Sequence, residues 1–504
     1  MAEPVEFVEF TSAAYQLETV NAACSRMVNL YPEVIEKGPR QGKLRLRQVP
    51  GFKAFCTLPV GPTRCLLDID GGNRLFAVAG PQVYEVFRDG TYRAFTGTIA
   101  LNNHPVIMVA NGINQIALAS GGMAYLIEGE TSGPGTVTPI DFITPDGTSG
   151  GPVMAATITF LDNYFIANQT PTIDPSTGLP VSGRTVYVSN LAPDGGIWDP
   201  ADAKIKEGLP DNVCRVFADN QQLWVFGFDG LEIWVDTGEL FPFNGMAGAV
   251  LRIGCSAPYS VAGARGWRFW LWKNSVYAAY GIDPQRVSDS GVEEAIKTYG
   301  DVSDAEAWCE IDGAHVFYVI SFPGASKTWV YDLSTKAWHE RSLWKTGRYE
   351  RYRGRVYAKA FNMDLVGDTE TGDIWQLDPK TYTDADGLPL RRLRTAPYLT
   401  ENMRMVRYNR LIVDMDTGIG ADGGTGVAGD DPTAAMRFSN DRGKTWSAEV
   451  EERLGKIGET STRVVFRCLG GSRIGRTFEL VVSSPVPLSI NTAYLDIGAP
   501  EAAR

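Results

Sequence analysis

The sequence predicts an all-β protein, a β-propeller of six or seven blades with an additional C-terminal β-sandwich-like domain. Three observations carry that expectation. Short β-branched and aromatic runs broken by Gly, Asp and Asn recur along the chain, the pattern of antiparallel hairpins. Most recurrences start roughly 40 to 60 residues apart, near the blade period of a propeller. No helical pattern separates their strands, so each unit has an apolar face that only stacking around an axis covers.

The clearest unit runs from Val216 to Tyr280 and opens VFADNQQLWVFGFDGLEIWVDTG, three strands parted by two polar turns. RLFAVAGPQVYEVFRDG begins at Arg74, QIALASGGMAYLIEG at Gln115 and ITFLDNYFIANQT at Ile158. WRFWLWKNSVYAAYG follows at Trp267, AHVFYVISFPGASKTWVYD at Ala314, and RYRGRVYAKAFN at Arg351 leads into GDIWQLD. The expected division is therefore an N-terminal segment over 1–65, partly hairpin and leading into the propeller. The propeller takes 66–382, and a C-terminal β domain takes 383–504.

Composition narrows the function. A chain of 504 residues with 44% hydrophobic content supports a large core or two, and 54 Gly with 29 Pro imply many turns. With 47 Lys and Arg against 59 Asp and Glu, the net charge of −12 argues against a surface built to grip nucleic acid. It is compatible with a wall that DNA slides past. Cys24, Cys56, Cys65, Cys214, Cys255, Cys309 and Cys468 form no CxxC pair and read as thiols of a protein folded in a reducing cytoplasm. MAEPVEFVEF lacks the n-region and h-region of a signal peptide, and no run approaches the ~18 apolar residues of a membrane span, so a soluble protein is expected.

Candidate sites follow in chain order. GPRQGKLRLR, between Lys37 and Arg47, is the densest positive cluster. It reads either as a contact for an acidic partner or DNA phosphate, or, preferably, as a solvated hairpin face. GTSGGPV, Gly147 to Val153, looks like the nucleophile loop of chymotrypsin-like proteases. Yet the only histidine upstream of Ser149 is His104, too near in sequence for the double barrel, and Thr148 stands where an aspartate is usual. A Gly/Ser surface loop is the expectation. The Pro/Gly/Asp-rich segment from Gln169 to Asp211 reads as a long blade loop or inserted hairpin. Small residues at Gly254, Ser256 and Ala257 suggest close packing near the axis, and Gly291 to Gly300 is the best short helix. His104, His315 and His339 lack HxxxH or HxH spacing, so neither a metal site nor a cofactor is expected. YDLSTKAW, ending at Trp338, is a blade signature of strand, polar turn and restarting strand.

Beyond Asp378, MRMVRYNRLIVDMDTG reads as a long strand pair. The loop Gly418 to Pro432 reads as mobile, because its acids lack the alternating spacing of a calcium loop. The sharpest local motif is a structural Asp-box, formed by Ser439, Asp441, Gly443, Thr445 and Trp446 in SNDRGKTW. In such a hairpin Asp accepts backbone amides, Gly takes a positive φ and Trp packs beneath the turn. It is a fold element and supplies no catalytic group.

Taken in order, VNLYPE, the PGF segment, VFGFDGLEIWVDTG, GCSAPYSVA, YDLSTKAWHER and FSNDRGKTW resemble the packaged-DNA stabilisation or tail-hub (nozzle) proteins of short-tailed bacteriophages. The resemblance implies a structural virion protein without enzymatic activity, made in the host bacterial cytoplasm. It further implies a six-copy ring below the portal and its adaptor, extending the channel for double-stranded DNA, retaining the genome and carrying spikes, fibres or a needle. Two other readings stay open. A carbohydrate-binding or sialidase-like propeller rests on the Asp-box and the 12 Trp and 20 Tyr, and would need an arginine triad, a Tyr nucleophile and paired carboxylates in one pocket. A generic protein-binding propeller scaffold is the other.

Overall fold

The computed structural model describes residues 5–12, 15–16, 24–37, 40–113, 115–128, 135–144, 146–170, 172–173, 180–181, 183–399, 404–421 and 428–498. Among them, seven antiparallel sheets stand around one axis, which fixes the blade count at the upper of the two expected values. Blade one runs from Thr63–Ile69 through Tyr92–Ala94, blade two from Ile107–Ala110 through Thr136–Pro139. Blade three comprises Ala155–Leu161, Tyr164–Gln169, Thr185–Ser189 and Trp198–Ile205. Blade four spans Val213–Asp219 to Phe243–Leu251, blade five Ala262–Ala264 to Asp283–Arg286, and blade six Glu306–Asp312 to Ala337–Glu340.

Blade seven joins the two ends of the propeller. Its inner strands are Gly354–Ala360, Met363–Asp368 and Asp373–Asp378, and its outer strand is Gly51–Thr57, with Gly51 opposite Asp378. Gly51 is required by close approach: a Cβ there would lie 2.4 Å from the Thr381 carbonyl oxygen. The boundary expected after residue 65 thus falls inside the first strand of blade one, downstream of a strand already built into the ring.

The hairpins form where two successive residues adopt positive φ, as at Asp162 and Asn163, or Asn220 and Gln221, the geometry whose twist matches the flanking strands. Each pair of neighbouring blades encloses its own apolar core. Phe76 and Leu118 fill the space between blades one and two, Phe165 and Trp198 that between two and three, and Val188 and Phe243 that between three and four. Trp224 meets Trp270, Phe269 meets Tyr318, Phe317 meets Trp375 and Leu75 meets Leu365 in the remaining four. Burying each such side chain contributes about 1.5–3 kcal/mol, so the ring is held by what separate blades would expose. The short helix is Ser290–Lys297, capped by Asp289 and packed through Val292 and Ile296 between blades five and six.

Three expectations need correction. GTSGGPV is not a loop: Ser149–Pro152 pairs with Asp141–Ile143 as an exposed hairpin on the edge of blade three. The segment after Gln169 supplies the third and fourth strands of that blade, besides a small pair at 172–173 and 180–181. MRMVRYNRLIVDMDTG forms one ten-residue strand, Val406–Met415, because Val406, Tyr408, Leu411, Val413 and Met415 share one apolar face once a bulge at Asn409 resets the alternation. Six cysteines are free thiols, Cys56 and Cys65 among them. The Cys24 side chain and residues 422–427 of the glycine–aspartate loop lie outside the described residues.

The C-terminal domain is a β-sandwich, and the N-terminal segment belongs to it. Phe7, Phe10, Met27, Leu30 and Leu46 sit in its core with Leu411, Phe466 and Phe478. One sheet orders Val464–Arg467, Val406–Met415, Ser489–Gly498, Leu44–Gln48 and Leu30–Val34. The other continues blade six: Ala337–Glu340 pairs with Met27–Val28, then Arg392–Thr395, Thr477–Val482, Thr433–Ser439 and Val450–Arg453 follow. One nine-stranded sheet therefore runs from propeller into sandwich.

Candidate structural sites at the axis and the domain junction

Three blades carry an arginine in the first strand, and these three side chains converge on Tyr259. Arg64 lies in TRCLLDI, Arg215 in VCRVFAD and Arg355 in GRVYAKA. Arg64 is wholly buried and donates to the carbonyls of His104 (2.8 Å), Gly80 (2.8 Å) and Ala100 (3.1 Å), to Ser120 Oγ (2.8 Å) and to Asn102 Oδ1. Arg355 is paired with Glu306 (2.6 Å) and also reaches the Asn103 carbonyl. Arg215 donates to the Pro258 carbonyl (2.9 Å). All four charges act on Tyr259, whose ring stacks on His104 at 6.1 Å between centroids. Burial, with Arg355 next, pushes the Arg64 guanidinium down to about 10; burial pushes the Tyr259 hydroxyl up to about 12. The loop over residues 100–104 is thus pinned to blades one and seven by Arg64 and Arg355, which donate to its backbone oxygens.

The second site is the junction. Asn29, fully buried at φ +56°, is the corner where the chain leaves the long sheet for the other face of the sandwich. Its Nδ2 donates to the carbonyls of Ser342 (2.8 Å) and Arg391 (3.0 Å), and its Oδ1 accepts from Ser342 N (2.9 Å). Beside it Arg26 donates twice to Glu340, at 2.6 and 2.8 Å. Burial opposes the charge on Glu340, but Arg26 outweighs it and holds the carboxyl below its ordinary range. Arg341 is clamped on Glu310 at 2.8 Å between the rings of Phe317 and Tyr352. Arg392 donates to the carbonyls of Val482 (3.2 Å), Val486 (2.7 Å) and Ser484. The Asn29 and Arg26 contacts join blade six to the sandwich, while Arg341 and Arg392 brace the two sides of the junction.

The Asp-box residues come together in one turn. Ser439 Oγ donates to Asp441 Oδ1 (2.7 Å) and accepts from Gly443 N (2.7 Å), with Gly443 at φ +87°. Asp441 accepts from Thr445 N (2.8 Å) and Thr445 Oγ1 (2.6 Å), while Trp446 lies under the Arg437 guanidinium at 4.7 Å. Arg476, stacked 3.9 Å from the Phe438 ring, ties the hairpin down by donating to Asn440 Oδ1 (2.8 Å).

The remaining candidates hold no chemistry together. Ser149 bonds Asp141 (3.0 Å) and His104 is at the axis. Ser334 and Asp332 both meet Nδ1 of His315, at 2.8 and 2.7 Å, so no relay through the ring exists. His339 is fully buried, and burial pushes its imidazole down to about 3. Among the described residues no group of His, Cys, Asp and Glu is placed to hold a metal. In the basic hairpin Arg45 and Arg47 share Glu33 (2.5 and 2.9 Å) and Arg40 pairs with Asp414 (3.0 Å), the solvated-face reading. Sequence reasoning missed the axial and junction residues, whose only signal was a lone Arg in an apolar strand or a polar Asn in VNLYPE.

Comparison with known proteins now has a fold to stand on. The extracellular domain of a putative one-component system, BT4673 from B. thetaiotaomicron, is similar at 10% identity and a TM-score of 0.42, over 85% of this chain and 57% of that one. The AfRom2 CNH domain is similar at 10% identity and 0.36, over 65% and 99%. PorZ, a surface component of the type-IX secretion system of Porphyromonas gingivalis, is similar at 12% and 0.36, over 72% and 44%. None of these carries an argument about function. No curated protein matches the sequence. Two family models do: the β-propeller of bacteriophage P22 Gp10 over residues 21–382, and its β-sandwich over 391–498. The first begins at residue 21, upstream of the ring. The chain belongs to the packaged-DNA stabilisation family of bacteriophage P22 Gp10, structural proteins of the phage virion.

Proposed function

We propose that the chain is the tail hub, or nozzle: a six-copy ring below the portal and its adaptor that extends and closes the DNA channel. It retains the packaged genome and anchors spikes, fibres or a needle. The observation that carries this reading is the closed propeller axis in a member of this family. If no single copy offers a path for DNA, the path lies between copies, and a ring is required. The junction supports the same reading, since propeller and sandwich share a continuous sheet.

The role is non-enzymatic. The sialidase-like alternative asked for an arginine triad, a Tyr nucleophile and paired carboxylates in one pocket; Arg64, Arg215, Arg355 and Tyr259 match the first two in composition, but Glu306 is the one carboxylate acting on Tyr259. Their state argues against catalysis: Arg64 is wholly buried with its donors engaged by the loop, and the Tyr259 hydroxyl is harder to ionise than free tyrosine. In the described residues no helix is long and apolar enough to cross a membrane. The expected site of action is the virion tail, after synthesis in the host cytoplasm.

Negative-stain microscopy of the purified chain, alone and with a portal–adaptor complex, tests the reading. Six-fold rings, or six-fold density added to the portal, are expected. Monomers that ignore the portal at high concentration would overturn it, and glycan screening would follow.

A further inference from the structure

Charge is segregated along this acidic chain. Residues 391–498 carry 15 Lys and Arg against 13 Asp and Glu, leaving 32 against 46 elsewhere. The excess is concentrated on the outer face of one sandwich sheet. Arg407 and Arg410 point outward from Val406–Met415, and Arg410 stands directly across from Arg467 on the next strand. Like charges so placed repel. Arg410 is relieved by Asp496 at 2.9 Å, but exposed Arg404, Arg407, Arg467 and Arg473 have no carboxylate in ion-pair reach among the described residues.

The opposite imbalance occupies the rim of blades three and four. Asp162 stands in the turn between Ala155–Leu161 and Tyr164–Gln169, Asp199 and Asp202 lie on the outer strand Trp198–Ile205, and Asp236 ends Leu231–Asp236, with no ion pair to any of the four among the described residues. Burial and then the neighbouring carboxylate raise the affinities of Asp162 and Asp202 for protons. Lys204, on the same strand as Asp202, is spent on Asn244 and the Trp234 ring. Beside these acids Leu240 is 98% exposed at the tip of the loop between Asp236 and Phe243, an apolar group with nothing to cover it.

The two patches lie on opposite sides of the molecule. The sandwich extends the outer edge of blade six and also takes in the strands preceding blade seven's outer strand, and in a seven-membered ring blade three lies across the axis from that pair. Complementary patches on opposite sides are what a head-to-tail, heterologous contact requires. We propose that the arginine face of one copy docks on the aspartate rim and Leu240 of the next. This deepens the ring reading and rests on it.

The test is a charge-reversal pair, R407E/R467E and D202R/D236R, assembled with and without the portal–adaptor complex and followed by sedimentation and microscopy. Native rings should weaken as salt rises to 1 M, where screening shortens to about 3 Å. Each variant alone, with native circular dichroism and melting temperature, should lose ring formation at least ten-fold. Mixing the two should restore even-membered rings, because each reversed face then meets a reversed rim, and this rescue also shows that both variants fold. Variants that assemble like the native chain would overturn the contact while leaving the ring reading intact. Arginine variants that keep the ring but lose binding to double-stranded DNA would overturn it in favour of a DNA-facing surface. A native chain that forms no ring under either condition would remove the ring reading itself.

Discussion

Asn29→Ala is the sharpest probe of the junction. The substitution removes three hydrogen bonds and leaves the carbonyls of Ser342 and Arg391 and the Ser342 amide without their partner in a fully buried corner. Unsatisfied buried groups cost about 1–3 kcal/mol each, and relaxation keeps the sum near the lower end, about 3–6 kcal/mol. Alanine at φ +56° adds roughly 1 kcal/mol, because its Cβ crowds the following carbonyl where Asn is tolerated. The expected loss is therefore about 4–7 kcal/mol, while Asn29→Gly, which keeps the backbone relaxed, loses about 1 kcal/mol less. Urea denaturation followed by tryptophan fluorescence reads this directly. Since Asn29 joins the long sheet to the other face of the sandwich, the variant should also split one cooperative transition into two, the sandwich melting before the propeller. An Asn29→Ala protein within about 1 kcal/mol of native and melting in one step would refute the reasoning.

Three further outcomes follow from buried charges and the Asp-box. Asp384, with one carboxylate oxygen unpartnered, is pushed up to about 7 by burial, so the fold binds a proton that the unfolded chain releases above about 4. Stability should fall as pH rises from about 4 to about 7, by at most about 4 kcal/mol; Asp384→Asn should abolish that slope in melting curves at pH 5 and 8, and identical slopes would contradict it. Arg64→Met strips the carbonyls of His104 and Gly80 of this donor, while Ala100 keeps Ser120, and should cost about 2–5 kcal/mol in urea titrations, with faster hydrogen exchange over residues 100–106; an unchanged midpoint would show that the loop is held otherwise. Thr445 and Ser439 hold the Asp441 carboxyl down to about 2, so protection of the Thr445 amide should persist until pH falls through that value. Asp441→Ala should lose the protection at every pH, and hydrogen exchange by mass spectrometry would register a failure to do so.

The all-β class, the blade repeat and the Asp-box were legible because each is local. Strand, turn and strand lie within twenty residues, and Asn220-Gln221 or Gly443 announces the turn by residue type alone. The closure of blade seven was not, since Gly51–Thr57 pairs with a strand more than three hundred residues later and carries no mark of its partner. The same holds for Phe7 and Phe10, which read as part of the N-terminal segment leading into the propeller yet sit in the C-terminal core. Arg64, Arg215 and Arg355 looked like ordinary strand cations until the ring brought their strands to one axis. The basic hairpin is the converse: its preferred reading as a solvated face needed only local charge density, and Glu33 and Asp414 pair three of its arginines from neighbouring strands.

The most direct measurement is a subnanometre reconstruction of the assembled tail. The account predicts six copies around a channel bounded by their surfaces, with every propeller axis closed by Arg64 and Tyr259. Duplex density running through a propeller axis, or a tail carrying this chain in a single copy, would contradict it.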